Sequence, residues 1–284
     1  MAKRGLIALL SLIGSMTLVL SASCGLKSNR QPSLGSTQVA STVMPESPQT
    51  LIVFAAASLK EPFDQIGQAF GSKEPGVKVI MNYAGSQQLE QQIQQGAQVD
   101  VFASANQDQM DKVTTAGFVQ PESQAIFTRN RLVVIFPADN PAGITRLQDL
   151  EKDGLHLILA APEVPVGQYT LEFLNKASRS TAFDPTFKDN VLANVMSYEE
   201  NVKAVMSKVA LGEADAGIVY VSDLSNANQV GRLEIPDDLN VIASYVIAPL
   251  LNSKDPKLAM DFVEFILSDQ GQSILASYSF IPVK

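Results

Sequence analysis

The chain has 284 residues, 29 of them Asp or Glu against 21 Lys or Arg, with one histidine, one cysteine and no tryptophan. Without the first 23 residues, which hold two bases and no acid, 19 bases (21 less two) face 29 acids and the net charge is near −10. That excludes binding that rests on neutralising nucleic-acid phosphates, and a single cysteine excludes an intrachain disulfide, so a packed core must hold the fold alone.

Lys3 and Arg4 precede an uncharged apolar stretch that turns small at Ser21, Ala22 and Ser23, directly before Cys24. This pattern reads as an export signal over residues 1–23. The stretch approaches the roughly 20 residues that span a bilayer, so an uncleaved anchor is the alternative. Cys24 after small residues resembles the lipobox of bacterial lipoproteins, whose thiol is acylated, although Ser21 stands where that pattern has Leu. The rival is a secreted precursor that loses Cys24. Residues 24–50 are rich in Ser, Gln, Pro and Thr; they bury too little to offset chain entropy and are expected to form a disordered tether.

At residues 51–70 a short apolar run, Leu51, Ile52, Val53 and Phe54, gives way to three alanines and then to Leu59, Phe63, Ile66 and Phe70 at helical spacing. The pattern predicts a buried strand, a tight turn and a helix that starts at Ser58. Helix starts present unpaired N–H groups and the positive end of the dipole, and small Ala55, Ala56 and Ala57 allow close approach, so the turn suits an anion. Ser58 with Glu61 also reads as a capping box that needs no ligand. A second copy follows, with alternating Val77, Val79, Met81 and Tyr83 before Ala84, Gly85, Ser86 and a Gln-rich helix that ends near Gly96. Two such turns converge on one site where strand order reverses in an α/β sheet.

Strands are expected at residues 99–103, 132–136, 155–160, 216–221 and 241–247, and helices around Met110 and Val113, around Leu171, Phe173 and Leu174, and at residues 201–211 and 256–267. The alternation is α/β, with no internal repeat. Enzyme signatures are absent: no Gly-x-Ser-x-Gly elbow, no phosphate loop, no Cys-x-x-Cys and no histidine pair for a metal. His156, inside the apolar run Leu155, His156, Leu157, Ile158, reads as a satisfied structural histidine, and Asp100, Asp108, Asp111, Glu199 and Glu200 as solvated or helix-start acids.

Four motifs then stand in order: AAASL at 55–59, YAGSQ at 83–87, PEVPVG at 162–167 and GIVYVSD at 217–223. Together with the ending SDQGQSILASYSF, they resemble the molybdate-binding proteins of bacterial molybdate ABC transporters, two-lobed periplasmic binding proteins of type II. The resemblance implies two lobes, each a central, mostly parallel sheet flanked by helices, with lobe 1 from residues 51–134 and 242–284, lobe 2 from 135–241, and two crossover strands as hinges. It implies molybdate or tungstate held by neutral donors, without cofactor or resident metal. Ser58 and Ser86 would give hydroxyl and backbone N–H, Val166 and Val202 backbone N–H, and Tyr220 its phenol.

The Val202 assignment needs Asn201 as the helix cap; Ser197 with Glu200 forms a rival capping box that would bury the Val202 N–H inside a longer helix, and the motif alignment favours Asn201. A donor-only site suits an oxyanion that carries no proton at neutral pH, whereas phosphate keeps one and rewards an acceptor. The implied protein is a monomer in the periplasm or cell envelope, lipid-anchored at Cys24, that serves a permease and its ATPase. A receptor for sulfate or another oxyanion is the alternative, and an enzyme or regulatory domain on the same fold is the reading from a different class.

Overall fold

The computed structural model describes residues 49–225 and 228–283; the export segment, Cys24 and the tether up to residue 48 lie outside the described residues. In chain order the elements are β1 Gln49–Ala56, α1 Lys60–Lys73, β2 Val77–Ala84, α2 Ser86–Gln94, β3 Val101–Ser104, α3 Gln107–Thr115 and β4 Ala125–Pro137. They continue with β5 Leu157–Ala160, α4 Pro165–Arg179, α5 Phe187–Ala193, β6 Val195–Glu199, α6 Val202–Ala210, β7 Ala216–Tyr220, β8 Val230–Glu234, β9 Ile242–Pro249, α7 Pro256–Leu267 and α8 Asp269–Ser277.

The strands form two sheets, one per lobe, that share β4. In the first, β2 and β3 flank β1 in parallel, and β9 pairs antiparallel with β3 and with the first half of β4, from Ala125↔Ile247 to Arg131↔Ile242. In the second, β5 runs parallel to β6 and β7, while β7 and β8 pair antiparallel with the second half of β4, from Leu132↔Tyr220 onwards. The central strands of each sheet are thus parallel, as expected, and the joining strands make the pairing mixed.

Both faces of the first sheet are covered, which is why β1 reads as an uninterrupted apolar run. Phe63 and Phe70 of α1 meet Phe262 of α7 at ring-centroid distances of 6.4 and 5.1 Å on one face, and Phe63 also meets Phe127 at 5.8 Å. On the other, Leu89 and Ile93 of α2 and Met110 and Val113 of α3 pack with Phe54 and Phe102. The edge-on ring geometry adds favourable quadrupole contacts to the area buried.

Two buried asparagines hold the crossing. Asn240, just before β9, accepts from Leu132 N–H at 3.0 Å and donates to Leu132 O at 2.9 Å and Ile235 O at 3.2 Å, while Asn130 donates to Ser222 Oγ at 2.8 Å. The two passages between the sheets are thereby tied to one another and to the segment after β7.

Three expectations change. His156 is exposed rather than buried: it precedes β5, its backbone N–H donates to Asp215 at 2.8 Å, and its ring faces solvent at the strand end opposite the loops described below. Asp100 is no solvated acid; it is buried and accepts from Ile52 N–H, Ser253 Oγ and Lys254 N–H, which fastens β3 to β1 and to the turn after β9. The Ser58–Glu61 capping box does not form, because a short 3-10 turn at Ala57–Leu59 precedes α1 and Glu61 instead pairs with Lys203.

A candidate anion-binding cleft between the two lobes

The register Ala56↔Ala84 and Ala55↔Ala103 brings the carboxyl ends of β1, β2 and β3 level. Across from them stand the carboxyl ends of β5 and β6, level at Ala160↔Glu199, and of β7 at Tyr220. Between the two sets lies a cavity of about 20 Å3 lined by Ala56, Ala57, Gly85, Ser86, Ala105, Val164, Pro165, Val166, Asn201, Val202 and Tyr220. None of these residues carries a charge. The volume is far below the few hundred cubic ångströms of organic-ligand pockets, and just above what one water needs.

Helix starts supply the polar groups. At α2 the first backbone bonds run from Gln88 and Leu89 N–H to Gly85 O, which leaves Ser86 and Gln87 N–H without intrahelical partners. Ser86 Oγ accepts from Ala105 N–H at 3.0 Å and keeps its own proton to donate. At α4 the first bond runs from Gln168 N–H to Val164 O, so the Val166 N–H is left over, with Pro165 at the first helical position where no N–H is needed. Val166 therefore sits in the first turn of the helix rather than in the loop before it. Gly167 is glycine for space, since a Cβ would lie 2.0 Å from Ala161 O. At α6 Asn201 is the cap, accepting from Ala204 N–H at 3.0 Å, and Val202 begins the helix with no partner for its N–H among the described residues. Ser197 lies in β6 and donates to Glu199.

Tyr220 is buried, and its hydroxyl has no hydrogen-bond partner among the described residues. A buried orphan donor is costly and calls for a partner from outside the chain. Burial, with Tyr245, Tyr169 and Asp223 nearby, pushes the phenol well above its usual range, so it remains a donor. Ser58 is the one sequence-predicted residue that does not line the cavity. It follows the lining Ala57, and its hydroxyl shares a 2.8 Å hydrogen bond with Tyr245, a buried tyrosine of β9 whose ring packs edge-on against Tyr220 at 5.7 Å.

Beside the cleft, Lys203 Nζ bridges Glu61 at 2.8 Å and Asp223 at 3.2 Å, and Asp223 also accepts from Tyr220 N–H. This triad is not legible in the sequence because Glu61, Lys203 and Asp223 are far apart in the chain, although Asp223 ends the GIVYVSD motif. Burial pushes the Asp223 carboxyl up to about 6 from 3.8 in spite of Lys203. A carboxyl whose proton is held more tightly in the folded chain contributes stability that is present below pH 3.8 and lost as pH rises through about 6. Asp223→Asn is therefore expected to gain on the parent chain by up to about 3 kcal/mol between pH 4 and 7 in denaturant unfolding; a pH-independent difference refutes it.

Residues 51–281 match a family described as bacterial extracellular solute-binding protein. The chain belongs to that family. Among relatives, it is 36% identical over 270 residues, 95% of each chain, to the molybdate-binding protein ModA of Mycobacterium tuberculosis H37Rv. Solved structures agree on the fold of this solute-binding protein. The periplasmic molybdate-binding protein of Azotobacter vinelandii superposes with a TM-score of 0.71 at 20% identity, covering 82% of this chain and 100% of that one. The sulfate-binding protein SubI of Mycobacterium tuberculosis superposes with 0.75 at 19% identity, covering 83% and 88%. At those identities the likeness concerns the fold, and the choice of anion falls to the cleft.

Proposed function

We propose that this protein is an extracytoplasmic receptor that captures molybdate, and tungstate with it, between its two lobes and delivers the anion to an ABC permease and its ATPase. The observation that carries the reading is the donor set: unpaired helix-start N–H groups at Ser86, Val166 and Val202, the Ser86 hydroxyl and the orphan Tyr220 phenol around one small uncharged cavity. Ser58 joins them through its hydroxyl and backbone N–H at the neighbouring turn. Convergent helix N-termini favour a dianion without a cationic side chain, and no carboxylate among the lining residues is placed to accept the proton that phosphate carries. The ModA relative supports molybdate as the guest. The role is capture and release with no covalent chemistry and no cofactor, by a monomer held to the envelope through a lipid on Cys24.

Both lobes offer donors, Ser58 and Ser86 from the first and Val166, Val202 and Tyr220 from the second, so the anion holds the lobes together and favours the closed arrangement. The transporter then reads closure. Size decides between oxyanions of equal charge, because a rigid ring of donors cannot contract onto a smaller guest without losing hydrogen-bond geometry. In calorimetry with molybdate, tungstate, sulfate and phosphate, the first two are expected to bind at least about 100-fold more tightly than sulfate, a difference of about 2.7 kcal/mol. Equal affinity for sulfate overturns the size argument, and preference for phosphate overturns the donor-set reading.

A further inference from the structure

Gly85 stands directly before Ser86 with φ −59° and ψ 139°, a conformation open to any L-residue, so backbone freedom does not explain the glycine. Space does. A Cβ there would lie 2.4 Å from the backbone carbonyl oxygen of Glu200 and 2.5 and 2.6 Å from the side-chain amide atoms of Gln87. Glu200 belongs to the other lobe, between the end of β6 and the Asn201 cap of α6. Its carbonyl accepts from Gln87 Nε2 at 2.8 Å, its carboxylate accepts from Gln88 Nε2 at 2.8 Å, and Gln88 Oε1 in turn accepts from Gly85 N–H at 3.1 Å. The whole arrangement lies next to the anion donors, with Gly85 adjoining Ser86 and Glu200 two residues ahead of Val202.

We propose that Gly85, Gln87 and Glu200 form a lobe-to-lobe clamp that sets the distance between the Ser86 and Val202 donors and so fixes how far the cleft closes. They are positioning residues. The Glu200 carbonyl lands on the bare Cα of Gly85, and the Gln87 amide, folded over that contact, locks it from the side. A methyl group at residue 85 occupies the space the carbonyl needs, and relieving the 2.4 Å contact to an ordinary one moves the halves apart by roughly 1 Å, which a fixed ring of short hydrogen bonds does not tolerate. The clamp rests on reading the cleft as an anion seat, and its consequences for lobe spacing do not.

The test compares the parent chain with Gly85→Ala, Gln87→Leu and Glu200→Ala by molybdate calorimetry, thermal unfolding and small-angle X-ray scattering, with and without molybdate. Gly85→Ala is expected to lose about tenfold or more in affinity, in proportion to the lost closed population, and to show a larger radius of gyration in every state in which the parent is compact. Its fold, read by circular dichroism, should be kept because alanine fits the backbone angles, while its unfolding without anion should fall by the cost of displacing the Glu200 carbonyl. Gln87→Leu should lose affinity similarly, and Glu200→Ala, which keeps the carbonyl, should lose less than about threefold. Parent-like affinity and radius in Gly85→Ala overturn the clamp. A parent chain that binds none of the oxyanions overturns the anion reading instead, and the radii of the parent and Gly85→Ala then decide the clamp.

Discussion

Ser86→Ala combined with Val202→Pro is expected to weaken molybdate binding on the order of 100- to 10,000-fold while the protein stays folded. The two changes remove one hydroxyl donor from the first lobe and one backbone donor from the second, each worth about 1.5 to 3 kcal/mol against a charged acceptor. Proline is chosen because Val202 is the first residue of α6. That position tolerates proline, whose missing N–H has no helical partner there. Asn201 at φ −162° and ψ 166° already has the extended backbone that a residue before proline requires. The pair thus deletes the proposed contacts without breaking the helix, and circular dichroism checks that it has not. Parent-like calorimetric affinity would remove both helix starts from the site, and with them the account of binding by neutral dipoles.

Tyr220→Phe is expected to move stability and binding in opposite directions. Among the described residues the phenol oxygen is buried without a partner, so its removal should leave the unfolding free energy measured without anion unchanged or raise it by about 1 to 2 kcal/mol. Binding should fall about 10- to 100-fold, because the proposed site uses the same oxygen as a donor to the anion. A tyrosine that only packs its ring against Tyr245 would give the same stability with affinity kept, so calorimetry carries the distinction and unfolding checks that the ring packing survives.

The elements with strong periodicity were legible in the sequence. The 256–267 helix forms as read, because Pro256 fits its first turn, Asp255 caps it and Phe262, Phe265 and Ile266 make one apolar stripe. What escaped were elements whose pattern is diluted by exposure. β6 carries exposed Met196 and Tyr198 at a sheet edge, β8 is a short strand with half-exposed residues, and the first half of β4 mixes Thr128, Arg129, Asn130 and Arg131 into its run. That half of β4 lies at the end of the first sheet, where its buried Thr128 and Asn130 hydrogen-bond to Ile281 O and Ser222; a strand that serves two sheets has no single face to advertise.

The site divides in the same way. Ser58 and Ser86 could be read from the strand-to-helix turns themselves. In the proposed site Val166 and Val202 act through backbone N–H groups, which their side chain types do not advertise, so only the resemblance pointed to them. Gly85 had a weak signal of its own, a glycine where the turn demands no positive φ, which marks close approach by another part of the chain. His156 misled because an apolar run continues through it, although the burial of β5 begins only after it.

The passage of β4 through both sheets has a mechanical meaning. A ladder that continues across the boundary, pinned there by the amide of Asn240, cannot unzip without abandoning bonds that water would replace only in part. In the proposed receptor, lobe motion is then a twist of β4 together with the second passage that Asn240 ties to it. On the proposed reading, much of the ordering that capture requires is thus accomplished when the chain folds, and a guest with few atoms to offer need pay for less of it.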